Sequence, residues 1–265
     1  MAILELQKLT RRFGALTAVD ALTMSVEPGE VFGLVGPNGA GKTTTIKMLT
    51  TLLPPTSGSA RIEGFDVIRQ AAEVRRVIGY VPQMLSADGA LTGYENLLIF
   101  AKLYDLPRAG REERVREALA FMGLADAADR LVREYSGGMI RRLEIAQSML
   151  HEPPVLFLDE PTIGLDPVAR KAVWERIEQL RAEFGTTILL TTHYMDEADS
   201  LCNRVAVMHL GKVAALGTPA ELKQSIGGNE ATLDDVFAHY AGVELESGGD
   251  YRETARTRRV ARRVG

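Results

Sequence analysis

Apolar and polar residues alternate along two early stretches of the chain. Ile3 to Leu9 reads ILELQKL and Thr23 to Glu27 reads TMSVE. This period of two predicts strands with one wet face. A third stretch, VFGLV at Val31 to Val35, is apolar throughout and predicts a buried strand. TTIKMLTTLL, residues 44–53, predicts a helix, and turns are marked at PGE from Pro28 and EGF from Glu63. From Met84 to His151 the pattern changes to helical spacing. LTGYENLLIFAKLYDL carries Thr92 with Glu95 three positions on, a capping box. REERVREALAFMGL sets Val115, Leu119 and Met122 on one face, with acids in its first turn. Strand–helix alternation returns at Val155. The predicted class is α/β, with a mostly helical insertion at about 84–151.

The turn between the buried strand and the helix after it carries the first chemistry. GPNGAGKTT comprises Gly36, Pro37, Asn38, Gly39, Ala40, Gly41, Lys42, Thr43 and Thr44, and fits G-x-x-x-x-G-K-[ST]. A strand–glycine loop–helix unit leaves the first helical N–H groups unpaired and aimed at one spot. The glycines let the backbone approach a polyphosphate. Lys42 supplies a cation for the β- and γ-phosphates, Thr43 a hydroxyl for Mg²⁺ and Thr44 a reach to the α-phosphate. VLFLDEP, Val155 to Pro161, predicts a buried strand ending in two acids. Ligands of open α/β sheets sit at that strand edge. Asp159 suits a metal held through water, and Glu160 suits a general base. YSGGM, Tyr135 to Met139, opens the helical stretch MIRRLEIAQSML and makes a second anion site with Ser136, Gly137 and Gly138. GLDP follows at Gly164 to Pro167, and His193 comes just after an apolar strand at Thr187 to Thr191.

Composition narrows the field. The 265 residues are enough for one large domain, and 46% hydrophobic residues support a sizeable core. A net charge of −4 provides no basic field for nucleic acid. The single cysteine, Cys202, forms no internal disulfide and reads as a small buried hydrophobe. The start MAILELQKLT does not read as a signal peptide, and no apolar run approaches the ~20 residues a bilayer requires.

The ordered set resembles the nucleotide-binding subunit of ABC transporters. On that resemblance the glycine loop is Walker A, LDE ends Walker B, YSGGM is the signature and GLDP is the D-loop. Gln83 in GYVPQ matches the Q-loop, His193 the switch histidine, and Phe13 in LTRRFG the aromatic that stacks on adenine. The resemblance spans residues 3–226 and implies a P-loop ATPase domain over 1–240. That domain has a mixed-sheet core, an N-terminal antiparallel β subdomain and an inserted helical subdomain. It implies ATP and Mg²⁺ as cofactors. Lys42, Gln83, Glu160 and His193 are catalytic, and Thr43, Gln83 and Asp159 face the metal. Ser136, Gly137 and Gly138 act on the nucleotide of a second copy, with Asp166 bridging the two sites. One motif set per chain therefore implies a dimer. The implied partner is a separate polytopic membrane permease, at the cytoplasmic face of the membrane, and no nucleic acid.

Departures refine the resemblance. Met139 stands where the general signature has glutamine, Tyr135 where it has leucine, and Ile140 where an arginine is expected. YSGGM followed by RRLEIA resembles the daunorubicin-resistance exporter branch, as does TLDDVFAHYAG at Thr232 to Gly242. The same tail segment also reads as an amphipathic helix packing Leu233, Val236 and Phe237. Residues 241–265, with six arginines from Arg252 to Arg263, read as a disordered basic tail. The expected role is the motor of an exporter of a drug or other hydrophobic compound. Two alternatives stand beside it: a soluble ATPase acting on ribosomes or nucleic acid, and the motor of an importer.

Overall fold

The structure, a computed structural model, describes residues 2–227 and 231–245. The arginines of the expected basic tail lie outside the described residues. Strands β1 (Leu4–Phe13) and β2 (Leu16–Val26) form an antiparallel hairpin. The buried strand β3 (Val31–Val35) follows, then helix α1 (Lys42–Leu49). Strands β4 (Ser57–Ile62) and β5 (Phe65–Asp66) return to the hairpin, giving an antiparallel sheet of order β2-β1-β4-β5. Helix α2 (Ala71–Arg76) leads into β6 (Ile78–Val81).

The helical lobe comes next, with α3 (Gly93–Leu103), α4 (Arg111–Phe121) and α5 (Gly137–Met149). Thr92 caps α3 in the expected box, its hydroxyl accepting from the Glu95 N–H at 3.1 Å while Glu95 accepts from the Thr92 N–H at 2.8 Å. Val115, Leu119 and Met122 all face the core. The chain then returns to the main sheet through β7 (Val155–Asp159), α6 (Pro167–Phe184), β8 (Thr187–Thr192) and α7 (Met195–Leu201). It ends in β9 (Arg204–His209), β10 (Lys212–Gly217), α8 (Pro219–Ile226) and α9 (Leu233–Leu245).

The main sheet runs β10-β9-β3-β8-β7-β6 and is parallel except for β10. Its central strands are covered on both faces, which is why they are apolar without alternation. Leu156, Leu158, Ile188 and Leu190 point toward the helical lobe and α6. Val155, Phe157 and Leu189 point toward α1 and the antiparallel sheet. The C-terminal edges of β3, β7 and β8 meet: the glycine loop follows β3, Asp159 ends β7 with Glu160 next, and His193 follows β8.

Three boundaries differ from the sequence expectation. Helix α1 stops at Leu49 because Thr51 takes a left-handed backbone, φ 62°, and the N–H groups of Leu52 and Leu53 fold back on the Lys47 carbonyl. Strand β8 continues through Thr192. Helix α9 runs to Leu245, past the expected domain end at 240, because Leu233, Val236 and Ala241 are buried and hold it on the body of the protein. Burying a leucine or valine side chain stabilises by about 1.5–3 kcal/mol. Among the described residues no helix is long and apolar enough to cross a membrane.

His151 ties the end of α5 to the sheet. Its Nε2 meets the Ile78 carbonyl at 3.0 Å and its ring stacks on Tyr104 at 4.0 Å. Burial holds its pKa below the ordinary imidazole value, against the pull of the Ile78 carbonyl. The neutral ring is therefore the folded form. Its stabilisation is complete above about pH 6.5 and is lost as pH falls through the lowered folded value. Thermal midpoints measured between pH 7.5 and 5 are expected to fall less in His151→Phe than in the parent, and equal slopes would contradict this.

Candidate functional site

Helix α1 has no side-chain cap at its N-terminus. Its leading N–H groups are left for an anion, and the dipole of the helix favours negative charge there. The loop from Gly36 to Gly41 needs its glycines. Gly41 has φ of 101°, and a Cβ there would lie 2.5 Å from the Ala18 carbonyl oxygen. The cleft above the loop is about 440 Å³ and is lined by Phe13, Leu16, Pro37, Lys42, Gln83 and Glu160 among others. Lys42, at 4% exposure, donates from Nζ to the carbonyls of Gly36 at 2.7 Å and Pro37 at 3.1 Å. Its Nζ also stands 3.3 Å from Glu160 Oε1. Burial lowers its pKa, and Glu160 and Asp159 pull it back up.

The two acids that end β7 are brought to this loop. Asp159 Oδ1 accepts from the Thr43 hydroxyl at 3.0 Å and from the Thr191 hydroxyl at 2.6 Å. Glu160 takes a left-handed backbone, φ 49°, uncommon for a residue with a Cβ. Its N–H is held by the Thr191 hydroxyl at 3.0 Å, and its Oε2 receives His193 Nδ1 at 2.8 Å. Lys42, Thr43, Asp159, Glu160 and His193 thus form one connected polar group. The hydroxyl and carboxylate oxygens of Thr43 and Asp159 are hard donors in the right number for Mg²⁺, which keeps waters and takes its other ligands from phosphate. The chemistry of this pair fits the metal. Gln83 lines the same cleft with its side chain exposed.

Phe13 is 45% exposed and lines one end of the cleft. The Arg11 guanidinium lies 4.6 Å from its ring centroid and donates to the Pro54 carbonyl at 2.7 Å. Such a cation under an aromatic ring contributes about 0.5–1 kcal/mol at an exposed site.

Ser136, Gly137 and Gly138 stand elsewhere. Ser136 caps α5, its Oγ accepting from the Met139 N–H at 3.3 Å. Asp166 caps α6, its Oδ1 accepting from the N–H groups of Val168 and Ala169, both at 2.9 Å. The two caps share a separate concave surface with Gly138 and Ala169. A Cβ on Gly138 would come 2.8 Å from the Ala169 side chain, so glycine allows α5 and α6 to approach this closely. Within one chain the serine–glycine end and the lysine loop therefore belong to different clefts. The departures in this motif have packing reasons. Tyr135 is buried and donates its hydroxyl to the Ala127 carbonyl at 2.6 Å, and Met139 and Ile140 pack on the main core.

Two groups of polar residues were not anticipated. Thr191 links both acids of β7, and it read only as part of an apolar strand. Arg141, Glu144 and Gln147 lie on one buried face of α5. Their spacing of three is the available signal: polar residues repeating at helical period beside apolar neighbours.

Comparison with known proteins bears on this arrangement. A family model described as ABC transporter matches residues 19–163. The chain is 49% identical over 230 residues to the daunorubicin/doxorubicin resistance ATP-binding protein DrrA of Streptomyces peucetius, covering 87% of this chain and 69% of that protein. It is 45% identical over 245 residues to the Nod factor export ATP-binding protein I of Cupriavidus metallidurans, covering 92% and 78%. It is 37% identical over 227 residues to the linearmycin resistance ATP-binding protein LnrL of Bacillus subtilis, covering 86% and 73%. A solved ATP-binding subunit of an ABC transporter superposes with a TM-score of 0.79 at 33% identity, covering 90% of this chain and 99% of that one.

Proposed function

Since the chain belongs to the ABC transporter family of ATP-binding, ATP-hydrolysing subunits, we propose that it is the motor of an exporter that removes a drug or another hydrophobic compound. The reading of export rests on similarity to proteins named for drug resistance and for export. The observation that carries the chemistry is the convergence of Lys42, Thr43, Asp159, Glu160 and His193 at one loop.

ATP takes the cleft above the glycine loop. Phe13 receives the adenine ring, and the loop from Gly36 to Thr44 receives the phosphates. Thr43 and Asp159 would hold Mg²⁺, with Gln83 in the same cleft, and the ion would neutralise phosphate charge. Lys42 leaves the loop carbonyls for the β- and γ-phosphates. Glu160 takes a proton from the attacking water as its oxygen bonds the γ-phosphorus. The bond to the β-phosphate oxygen breaks, releasing ADP and phosphate. His193 holds the Glu160 carboxylate in place and reaches the γ-phosphate. Most of the acceleration is positioning and charge neutralisation.

A second copy supplies Ser136, Gly137 and Gly138 to the γ-phosphate, with Asp166 between the two sites. Closure on ATP and reopening after hydrolysis then drive a separate polytopic permease at the cytoplasmic face of the membrane. The domain doing this spans about residues 1–240 together with the rest of α9.

The test is recovery of tagged Glu160→Gln chain from native membranes with ATP, with partners identified by mass spectrometry. A polytopic membrane protein at about equal stoichiometry is expected. Recovery with ribosomes or DNA and no membrane protein would overturn the transport reading and leave the ATPase standing.

A further inference from the structure

The loop that carries Gln83 is held by α5, and the contacts are buried. Arg141 lies four residues past the Asp-free N-terminal turn's Gly137 and is 2% exposed. Its guanidinium donates to the Pro82 carbonyl at 2.7 Å and the Gln83 carbonyl at 2.8 Å. One turn on, Glu144 pairs with Arg141 at 3.1 Å. Glu144 also accepts from the Ser86 N–H, and from the Ser86 hydroxyl at 3.1 Å. One further turn on, Gln147 reaches Asn96 at 3.4 Å, and Asn96 in turn accepts from the Asp88 N–H at 3.0 Å. Arg141 and Glu144 therefore grip the main chain at residues 82, 83 and 86 directly, and Gln147 reaches that of Asp88 through the Asn96 side chain.

A buried ion pair is weak evidence for stability, since desolvation offsets much of its attraction. What this one does is geometric. A planar guanidinium on two consecutive carbonyls fixes direction as well as distance. The carboxylate behind it is oriented by a second backbone group of the same loop. The gripped loop lines the cleft above the glycine loop through Gln83, whereas the N-terminus of the gripping helix lines the other cleft through Ser136.

We propose that Arg141 and Glu144 are positioning residues that make the Gln83 loop and the N-terminal end of α5 move as one body. Nucleotide state in a chain's own cleft then sets the angle at which it offers Ser136 to its partner copy. The inference rests on the ATPase reading above and deepens it. Arg141 touches neither nucleotide nor reacting atoms, and its effect passes through the loop.

Hydrogen exchange on the full chain tests this, with Mg²⁺–ATP as the ligand and Glu160→Gln as the parent so that ATP persists. Three segments are followed: 36–44, 80–88 and 134–142. In the parent all three gain protection at the same ATP concentration. Arg141→Met with Glu144→Met replaces the pair by apolar groups of similar reach, a change that a buried ion pair commonly tolerates. In that variant segment 36–44 responds as before, whereas half-protection of 134–142 moves to about ten-fold higher ATP, an ordinary coupling free energy. Arg141→Lys keeps the charge and loses the two-carbonyl grip, and a smaller shift in the same direction is expected. It serves if the double variant does not fold. Segments 36–44 and 134–142 still responding together in the folded variants would overturn the inference. Segment 36–44 failing to respond in the parent would overturn the nucleotide-site reading, and this inference with it.

Discussion

Glu160→Gln is expected to bind ATP and to hydrolyse it about 10²- to 10⁴-fold more slowly, the range a positioned general base supplies. The substitution is close to isosteric. Its side chain still reaches Lys42 Nζ, 3.3 Å from the carboxylate in the parent, and His193 Nδ1, 2.8 Å from it. What disappears is the proton acceptor and one negative charge beside the phosphates. Affinity for ATP is therefore held or improved while turnover collapses, so kcat falls with KM unchanged or lower. Because hydrolysis is what reopens the pair, the variant accumulates as an ATP-bound dimer. Phosphate release and size-exclusion chromatography with and without ATP read both effects. Turnover within two-fold of the parent would remove Glu160 as the base, and His193 would then be the next group to test.

The elements that were legible in the sequence are those whose burial is uniform or whose local chemistry is self-contained. Val31 to Val35 and Val155 to Leu158 lie in central strands covered on both faces, so an unbroken apolar run marked them. The capping box at Thr92 and Glu95 is a contact between residues three apart, and sequence shows such contacts directly. Partners far apart in the chain were not legible. Thr43 meets Asp159 and Lys42 meets Glu160 only because β3 and β7 end at the same sheet edge with β8 between them. A motif family supplied those residues, but no spacing supplied the distances. Thr191 was missed for the same reason, since its importance lies in two bonds across adjacent strands. Arg141 and Glu144 were missed because a charged helix face ordinarily meets water. Here that face meets the backbone of another loop.

On the proposed reading, one chain holds two half-sites. The Glu160 carboxylate and Lys42 converge on one loop, whereas the serine–glycine cap opens onto a different surface with Asp166. Geometry within the chain sends the two anion-binding ends to separate clefts. A nucleotide that uses both must then be shared between copies, and its binding free energy becomes association free energy. That makes dimer closure sensitive to the γ-phosphate, the group that hydrolysis removes.

Lys42→Ala separates what this lysine does for the fold from what it does for the nucleotide. Both charges of the Lys42–Glu160 pair are nearly buried, at 4% and 5% exposure. Burial opposes the charge on Lys42, and Glu160 opposes that effect. Removing the lysine leaves Glu160 without its cation and leaves the Gly36 and Pro37 carbonyls without their donor. Breaking a buried pair from one side costs about 3–5 kcal/mol, and the open cleft places this case at the low end. A clear drop in thermal midpoint is expected, together with a loss of ATP affinity of at least about ten-fold, since each lost charge-assisted contact is worth ~1.5–3 kcal/mol. Adding Glu160→Gln to Lys42→Ala removes the uncompensated carboxylate, so the midpoint recovers. Affinity does not recover, because no cation has returned to the phosphates. Calorimetry and a fluorescent ATP analogue measure the two quantities on the same samples. If the double variant regained ATP binding along with stability, Lys42 would be a structural partner of Glu160 and not a phosphate ligand, and the glycine loop would lose its central assignment.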